Sequence, residues 1–267
     1  MTQFKSLQNV ANYFNTPEKC RTFLEKMRWP DGRIVCPVCG VPDAYRNGNC
    51  ITYKCRDKDC GTNFSVTVGT VMENTKLPLQ KWIMGMYLLS AHKKGISSHQ
   101  LARDLGIRQK AGWFLLMRIR QMFKDNGLEL SNTVEADEHY LGGKWSNMSK
   151  KKRAKLIASG KDNKVPIMGL LERGGDAKLV VIGKDSFKDI IRQHVSLNAF
   201  INTDEHKAYA GLNQEFADHD SVNHSQGQFV KGNTTTNSVE GFFSLFQRCI
   251  FDTYHQDQRK APATILQ

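Results

Sequence analysis

The stretch Val134-Glu-Ala-Asp-Glu-His-Tyr140 predicts a β-strand near the start of the largest domain of this 267-residue chain. Successive side chains on a strand point to opposite faces. Glu135, Asp137 and His139 are therefore expected on one face, and the residues between them, including Glu138, on the other. Two acidic side chains would project from the same face of one strand.

Strand and helix patterns alternate around and after this stretch, from residue 132 to about residue 248. Such alternation predicts an α/β domain with a mixed sheet, which we place at residues 129–267. The predicted strands are 134–140, 165–171, 179–183 and 199–203, and the predicted helices are 186–196 and a run that begins at Asn237.

Two further acidic residues stand where they can join Asp137. Asp204 follows the predicted strand 199–203, at the carboxyl end where α/β sheets tend to place ligands. Glu240 lies near the start of the last predicted helix. Two divalent cations about 3.5–4 Å apart, held by carboxylates, support phosphodiester chemistry. Taken singly, Asp204 and Glu240 also fit helix-start positions that the helix dipole favours.

Four cysteines nearer the N-terminus have the spacing of a zinc ribbon, which we place at residues 31–75. Cys36-Pro-Val-Cys39 forms one knuckle, and Cys55 with Cys60 forms the other. Four thiolates complete the tetrahedral coordination of Zn²⁺, so the predicted site is structural. The segment is Gly-rich and would bury little without the metal. Cys50 is either a spare thiol or an alternative ligand.

Residues 1–30 predict one amphipathic helix, on which Cys20, Phe23, Leu24 and Met27 share a face. Thr16 is its expected N-cap, Pro17 its first residue, and it should end before Pro30.

Residues 76–128 have apolar residues at helical spacing, which predicts a helical bundle. Residues 95–107 resemble the first helix and turn of a helix-turn-helix, with Ser97 or Ser98 as N-cap and Gly106 in the turn. An ordinary αα-hairpin is the alternative. In the following helix the candidate packing residues are Trp113, Leu116 and Met117, and the candidate DNA contacts are Arg108, Lys110, Arg118 and Arg120.

The charge balance of the chain predicts a polyanionic partner. There are 38 Lys and Arg residues against 26 Asp and Glu, which gives a formal charge of +12. Residues 144–164 form an exposed basic insertion that directly follows the first predicted strand, and it is either a solvated loop or a phosphate contact. Its candidate phosphate contacts are Lys150, Lys151, Lys152 and Arg153.

The sequence lacks a secretory signal pattern at its N-terminus, and its longest apolar stretch is too short for a membrane span. We therefore expect an intracellular protein with no membrane partner. In that compartment a cluster of cysteines favours metal binding over disulfides.

The order of these motifs resembles bacterial insertion-sequence transposases of the DDE superfamily, in the group that places a zinc ribbon and a helix-turn-helix before an RNase H-like domain. The resemblance runs from Cys36 to Arg248. It rests on the segments CPVCG, FSVTVGTVMENTKLPLQKW, VEADEHYLGG, TDEHKAY and TNSVEGFFSLFQR.

The resemblance implies a two-metal active site in which Asp137, Asp204 and Glu240 hold two Mg²⁺ or Mn²⁺ ions. It implies an assisting role for Asn237 and a DNA contact for Arg248. The implied partners are the terminal inverted repeats of the element and target double-stranded DNA, in the cytoplasm at the nucleoid. A homo-oligomer is expected when two ends are brought together.

The C-terminus departs from this pattern, because family members usually continue with further helical sequence. After Tyr254 the helical period is lost and Pro262 appears, so we expect a truncated end. This leaves open a DNA-binding regulator or an inactive transposase that binds element ends. A protein that uses the zinc ribbon to dock a partner is a further alternative. A covalent recombinase is disfavoured, because no Arg/His constellation accompanies Tyr140, Tyr209 or Tyr254.

Overall fold

The computed structural model describes residues 4–254, except 123–128, 161, 184, 224–225 and 229. The chain divides into two compact units, Met1–Phe123 and Lys124–Gln267. The first three predicted segments thus belong to one unit, and the predicted α/β domain forms the other.

The first unit begins with two helices, α1 (Leu7–Tyr13) and α2 (Pro17–Arg28). The prediction for α2 is confirmed, because the Thr16 hydroxyl accepts a hydrogen bond from the backbone N–H of Lys19 and Pro17 is the first helical residue. Met27 was wrongly placed on the buried face, since it is 68% exposed. Helix α1 was not predicted, because Val10 is its only buried residue and leaves almost no periodic signal.

The ribbon segment forms a small antiparallel sheet of β1 (Tyr45–Arg46), β2 (Thr52–Lys54) and β3 (Asn63–Ser65). The end of α2 packs on this sheet through Trp29, whose ring lies 5.4 Å from that of Tyr53 and 6.5 Å from that of Phe64. The ribbon therefore has an aromatic core that the spacing of its cysteines did not reveal.

Helices α3 (Leu79–Ala91), α4 (Ser98–Leu105) and α5 (Gln109–Gln121) complete the first unit. The Ser97 hydroxyl caps α4, and Gly106 ends it with φ = +61°, a conformation that glycine adopts without strain. Trp113 was wrongly assigned to the packing face of α5, since it is 51% exposed. The buried residues of α5 are Gly112, Leu115, Leu116 and Ile119.

The second unit contains a five-stranded mixed sheet in the order β6-β5-β4-β7-β8. Strands β4, β5 and β6 are antiparallel, whereas β4, β7 and β8 are parallel. This arrangement confirms the predicted mixed-sheet, RNase H-like fold. The strands are β4 (Thr133–Leu141), β5 (Val165–Glu172), β6 (Ala177–Val181), β7 (Phe200–Asp204) and β8 (Asp218–Val222).

The two faces of this sheet are covered by different helices. Helix α7 (Phe187–His194) contributes Ile190 and Ile191 to a core with Ala136 of β4. Helix α8 (Asn237–Arg248) covers the other face, and a π-helical segment, Cys249–Tyr254, follows it. Among the described residues, 3-10 turns lie at Trp145–Asn147, Lys207–Tyr209 and Leu212–Gln214.

The basic insertion between β4 and β5 is a helix, α6 (Lys150–Ala158), which corrects the expectation of a loop. The Ser149 hydroxyl accepts a hydrogen bond from the backbone N–H of Lys152, and Leu156 is buried beneath the helix. One apolar contact in a run of lysines gives little amphipathic signal, which explains why the helix was not predicted.

None of the helices in the described part of the chain has the length and apolar character needed to cross a lipid bilayer.

Candidate active site and zinc site

The central strand β4 divides its side chains between the two helical layers as its sequence predicts. The imidazole of His139 stacks on Phe243 of α8 with ring centroids 4.9 Å apart, and the Glu135 carboxylate accepts hydrogen bonds from the start of α8. Ala136 faces the α7 core. Glu135 and His139 therefore share the face toward α8, as strand alternation predicts.

Three carboxylates meet where the carboxyl end of β7 lies beside the middle of the parallel strand β4. Asp137 and Glu138 come from β4 and Asp204 ends β7, and one carboxylate oxygen from each lies within 4.8 Å of the others. The Tyr209 hydroxyl donates a hydrogen bond of 2.8 Å to Glu138. Strand alternation alone had placed Glu138 on the opposite face, away from Asp137. Glu138 was not predicted as a site residue, because it comes close to Asp204 only through the pairing of β4 with β7.

The cluster concentrates negative charge in a partly buried position. Burial, and then the charges of Glu138, Asp204 and Glu240, raise the pKa of Asp137 to about 7, against a hydrogen bond from the backbone N–H of Glu138 that lowers it. Like charges this close repel unless a proton or cation lies among them. Hard carboxylate oxygens are suitable ligands for divalent cations such as Mg²⁺. The donor set therefore fits a divalent metal.

Glu240 lies beside this cluster, in the first turn of α8. It is not among the three residues whose oxygens lie within 4.8 Å of one another, although its charge acts on Asp137. Its carboxylate accepts a hydrogen bond of 3.3 Å from the hydroxyl of Thr236, the N-cap residue of α8. The neighbouring Asn237 is exposed, and its backbone N–H donates to Thr235.

Helix α8 packs closely on the sheet at Gly169 of β5, the residue paired with Asp137. A Cβ atom at Gly169 would lie 2.5 Å from the ring of Phe243 and 3.0 Å from the side chain of Val239. A glycine at this position therefore lets the helix that carries Glu240 lie directly over the strand next to Asp137.

We expect Gly169→Ala to lower the free energy of unfolding by about 1–3 kcal/mol, because the added methyl group overpacks the α8 interface. Urea unfolding of the purified chain measures this. Gly183→Ala is the matched control, since a Cβ there meets no atom within 4 Å, and it should change stability by less than about 0.5 kcal/mol. Equal stability of the two variants would show that α8 does not depend on this close contact.

The four predicted zinc ligands come together in the first unit. The sulfur atoms of Cys36, Cys39, Cys55 and Cys60 all lie within 4.8 Å of one another, with 3.9 Å between Cys36 and Cys60 and 3.4 Å between Cys39 and Cys55. A tetrahedral Zn²⁺ with Zn–S bonds near 2.3 Å requires sulfurs roughly 3.8 Å apart. The donor set therefore fits structural zinc. Cys50 is exposed at the tip of the β1–β2 hairpin and is not part of this cluster.

The predicted DNA contacts on α5 fall into two groups. Arg108 and Lys110 are exposed at its start. Arg118 instead donates hydrogen bonds to the carbonyl oxygens of Val71 and Glu73, at 2.8 and 3.0 Å, and Arg120 is half-buried. These internal contacts hold Arg118 against its own unit.

The predicted contacts of the second unit lie on α6 and at the end of α8. Lys150, Lys151 and Lys152 are exposed, and Arg153 donates to the carbonyl oxygen of Trp145. Arg248 lies in the last turn of α8, where its guanidinium donates to the Ser244 carbonyl oxygen at 3.1 Å.

A ribbon with four clustered cysteines in the first unit, and an RNase H-like sheet with clustered carboxylates in the second, are the two parts that the resemblance to insertion-sequence transposases implies. Family comparisons agree: residues 129–261 match the ISXO2-like transposase domain, and residues 15–63 match the transposase zinc-ribbon domain. The chain therefore belongs to the ISXO2-like insertion-sequence transposases.

One similar curated protein is described as an uncharacterized protein in transposable element ISH50 of Halobacterium salinarum. It is 27% identical over 253 residues, which covers 88% of this chain and 83% of that protein. No solved structure matches this chain.

Proposed function

We propose that this protein is a metal-dependent DNA transposase whose active site is formed by Asp137, Asp204 and Glu240. The observation that carries the proposal is the group of carboxylates in the middle of β4 and at the end of β7, within a chain of the transposase family. Two divalent cations bound there, Mg²⁺ or Mn²⁺, would activate the attacking oxygen and stabilise the leaving oxygen of phosphodiester transfer.

The reaction would proceed in two displacements at phosphorus. In the first, water attacks the phosphodiester at the element boundary, the bond to the 3′ oxygen breaks, and that oxygen leaves as a free 3′-OH. In the second, this 3′-OH attacks a phosphodiester of the target, and the target's own 3′ oxygen leaves with a proton. Asp137 and Asp204 would orient the reacting phosphate, and Glu240 would contribute a third carboxylate from α8.

A covalent tyrosine intermediate is disfavoured by the contacts of Tyr209, the tyrosine nearest the cluster. This residue is 1% exposed and its hydroxyl donates to Glu138. Burial and the neighbouring carboxylates raise the pKa of Tyr209, which keeps the phenol protonated. Such a group is a poor nucleophile toward DNA.

DNA would be held by basic residues on both units. Helix α6 lies in the connection from β4 to β5. This connection leaves the sheet at the carboxyl end of β4, which is on the same side of the sheet as the end of β7 at Asp204. Its exposed lysines are therefore suited to bind the phosphates on either side of the scissile bond. Arg108 and Lys110, at the start of α5, are the proposed contacts with the terminal repeats, in the manner of a recognition helix. Synapsis of two ends would require a homo-oligomer.

We expect the triple change Lys150→Gln, Lys151→Gln and Lys152→Gln to weaken DNA binding and to reduce its dependence on salt. Each lost phosphate contact should lower the slope of log K against log salt concentration by about 0.9. Fluorescence anisotropy of a labelled duplex across a salt series measures both quantities. The matched control replaces the same lysines with arginine, which retains the charge. An unchanged slope in the glutamine variant would exclude α6 from the DNA interface.

The proposed function is tested by strand cleavage of a labelled duplex that carries the element's own terminal repeat, with Mg²⁺ or Mn²⁺ and a chelator control. The expected result is metal-dependent cleavage at the repeat boundary. Tight binding without cleavage under any metal would instead support a DNA-binding regulator.

A further inference from the structure

The carboxylate of Glu135 is the most completely buried acidic group described in the second unit, with 0% of the residue exposed. One oxygen accepts hydrogen bonds from the backbone N–H groups of Ser238 and Val239, at 2.9 and 3.1 Å. The other accepts from the Ser238 hydroxyl at 3.0 Å and from the Arg173 guanidinium at 2.7 Å. Glu135 is thus bonded to the first turn of α8 on both of its oxygens.

This contact replaces a local helix cap. The side chain of the N-cap residue of α8, Thr236, makes no capping hydrogen bond. The first N–H groups of a helix have no partner within the helix and require one elsewhere. Glu135 supplies it from β4, and its negative charge is favoured at the positive end of the helix.

Arg173, which follows β5, extends the same contact to the segment before α8. Its guanidinium donates to the carbonyl oxygens of Asn233 and Thr235, at 2.7 and 3.3 Å, as well as to Glu135. The strand, the incoming loop and the first helical turn are therefore joined through one ion pair.

Glu135 has no capacity left for a cation. An ionised carboxylate offers about four lone-pair sites. Two protein donors occupy each oxygen of Glu135, so all four sites are used within the fold. Although Glu135 shares a strand face with Asp137, its contacts suit it to hold other groups in place and not to bind a metal itself.

We propose that Glu135 and Arg173 are positioning residues that fix Glu240 beside Asp137. Glu240 follows directly after Ser238 and Val239, whose amides Glu135 holds, so any rotation of this turn displaces the Glu240 carboxylate. This inference rests on the proposed function, because it assumes that Glu240 contributes to metal binding.

The test is a double-mutant cycle on the full chain, in which isothermal titration calorimetry measures the Mn²⁺ affinity of each variant. Glu135→Gln should weaken Mn²⁺ binding by roughly tenfold or more, as changes to groups that orient metal ligands do. Glu240→Gln should also weaken it. The double variant should bind like Glu240→Gln alone, because Glu135 acts only through Glu240. Asp189→Asn is the control, since the Asp189 carboxylate accepts a hydrogen bond at the start of α7 in a local capping box and is not part of the carboxylate cluster.

Three results would overturn the inference. The first is a loss of affinity on Glu135→Gln that is equally large in the Glu240→Gln background, which would make Glu135 a general structural group. The second is unchanged Mn²⁺ affinity in Glu135→Gln, and the third is no Mn²⁺ binding by the wild-type chain.

Ser238→Ala provides a milder variant in case Glu135→Gln does not fold, because it removes one of the four donors. It should weaken Mn²⁺ binding by a few-fold and speed hydrogen exchange of the amides at 238–240 without affecting the strands. Unchanged exchange there would also count against the inference. DNA cleavage by the wild type is measured separately: a chain that shows the expected cycle but never cuts DNA would refute the proposed function and leave the positioning role intact.

Discussion

Asp137→Asn and Asp204→Asn are each expected to lower metal-dependent DNA cleavage by roughly a hundredfold to a thousandfold, the usual cost of removing one preorganised group that stabilises a transition state. Each substitution keeps the shape of the side chain but removes one of the charges that would hold the cations. DNA affinity should persist, because the proposed DNA contacts lie on α5 and α6. Single-turnover cleavage and anisotropy on the same duplex separate the two effects.

Asp218→Asn is the matched control for these variants. Asp218 begins β8 and pairs with Phe200 at the start of β7, whereas Asp204 is at the other end of that strand. The loss of the Asp218 charge should therefore leave cleavage nearly unchanged. Wild-type cleavage rates in both Asp137→Asn and Asp204→Asn would remove these residues from the mechanism.

Removal of zinc is expected to unfold the ribbon while leaving the second unit folded. Structural zinc contributes roughly 10–16 kcal/mol in small zinc modules, far more than the three short strands and the Trp29 contacts are able to replace. Hydrogen exchange after chelation, or in Cys39→Ser, should show loss of protection in β1–β3 and retained protection in β4–β7.

Cys50→Ser is the control for the zinc prediction, because Cys50 lies on the same hairpin but outside the cluster of four sulfurs. It should keep both zinc and protection. Loss of zinc in Cys50→Ser, with retention in Cys39→Ser, would mean that Cys50 is a ligand in place of Cys39.

Sequence patterns predicted the helices that have an apolar face, such as α2 and α8, and the strands β4 and β5, which have runs of buried residues. The bounds of these elements agree with the prediction to within a residue or two. Strand β8 was missed because Asp-His-Asp-Ser-Val is mostly polar, and it forms through pairing with β7. Its stability comes from a neighbour in the sheet, which no local pattern records.

The candidate site was predictable only in part, for a similar reason. The position of Asp204 follows from the end of a strand and that of Asp137 from strand alternation, whereas Glu138 joins them only because β4 and β7 are neighbours. The roles of Glu135 and Arg118 depend on partners far along the chain: the start of α8 for one, and the carbonyls of Val71 and Glu73 for the other. In the sequence, both look like surface charges.

The cap of α8 also bears on the order in which this protein folds. The carboxylate that completes the first turn comes from a residue 104 positions before Val239. Forming a contact between such distant segments requires closure of a long loop, which is slow compared with local helix formation. A chain still emerging from the ribosome would have Asp137 in place long before Glu240 is fixed beside it. Glu240 would therefore take its place beside Asp137 only after β4 and the start of α8 have met.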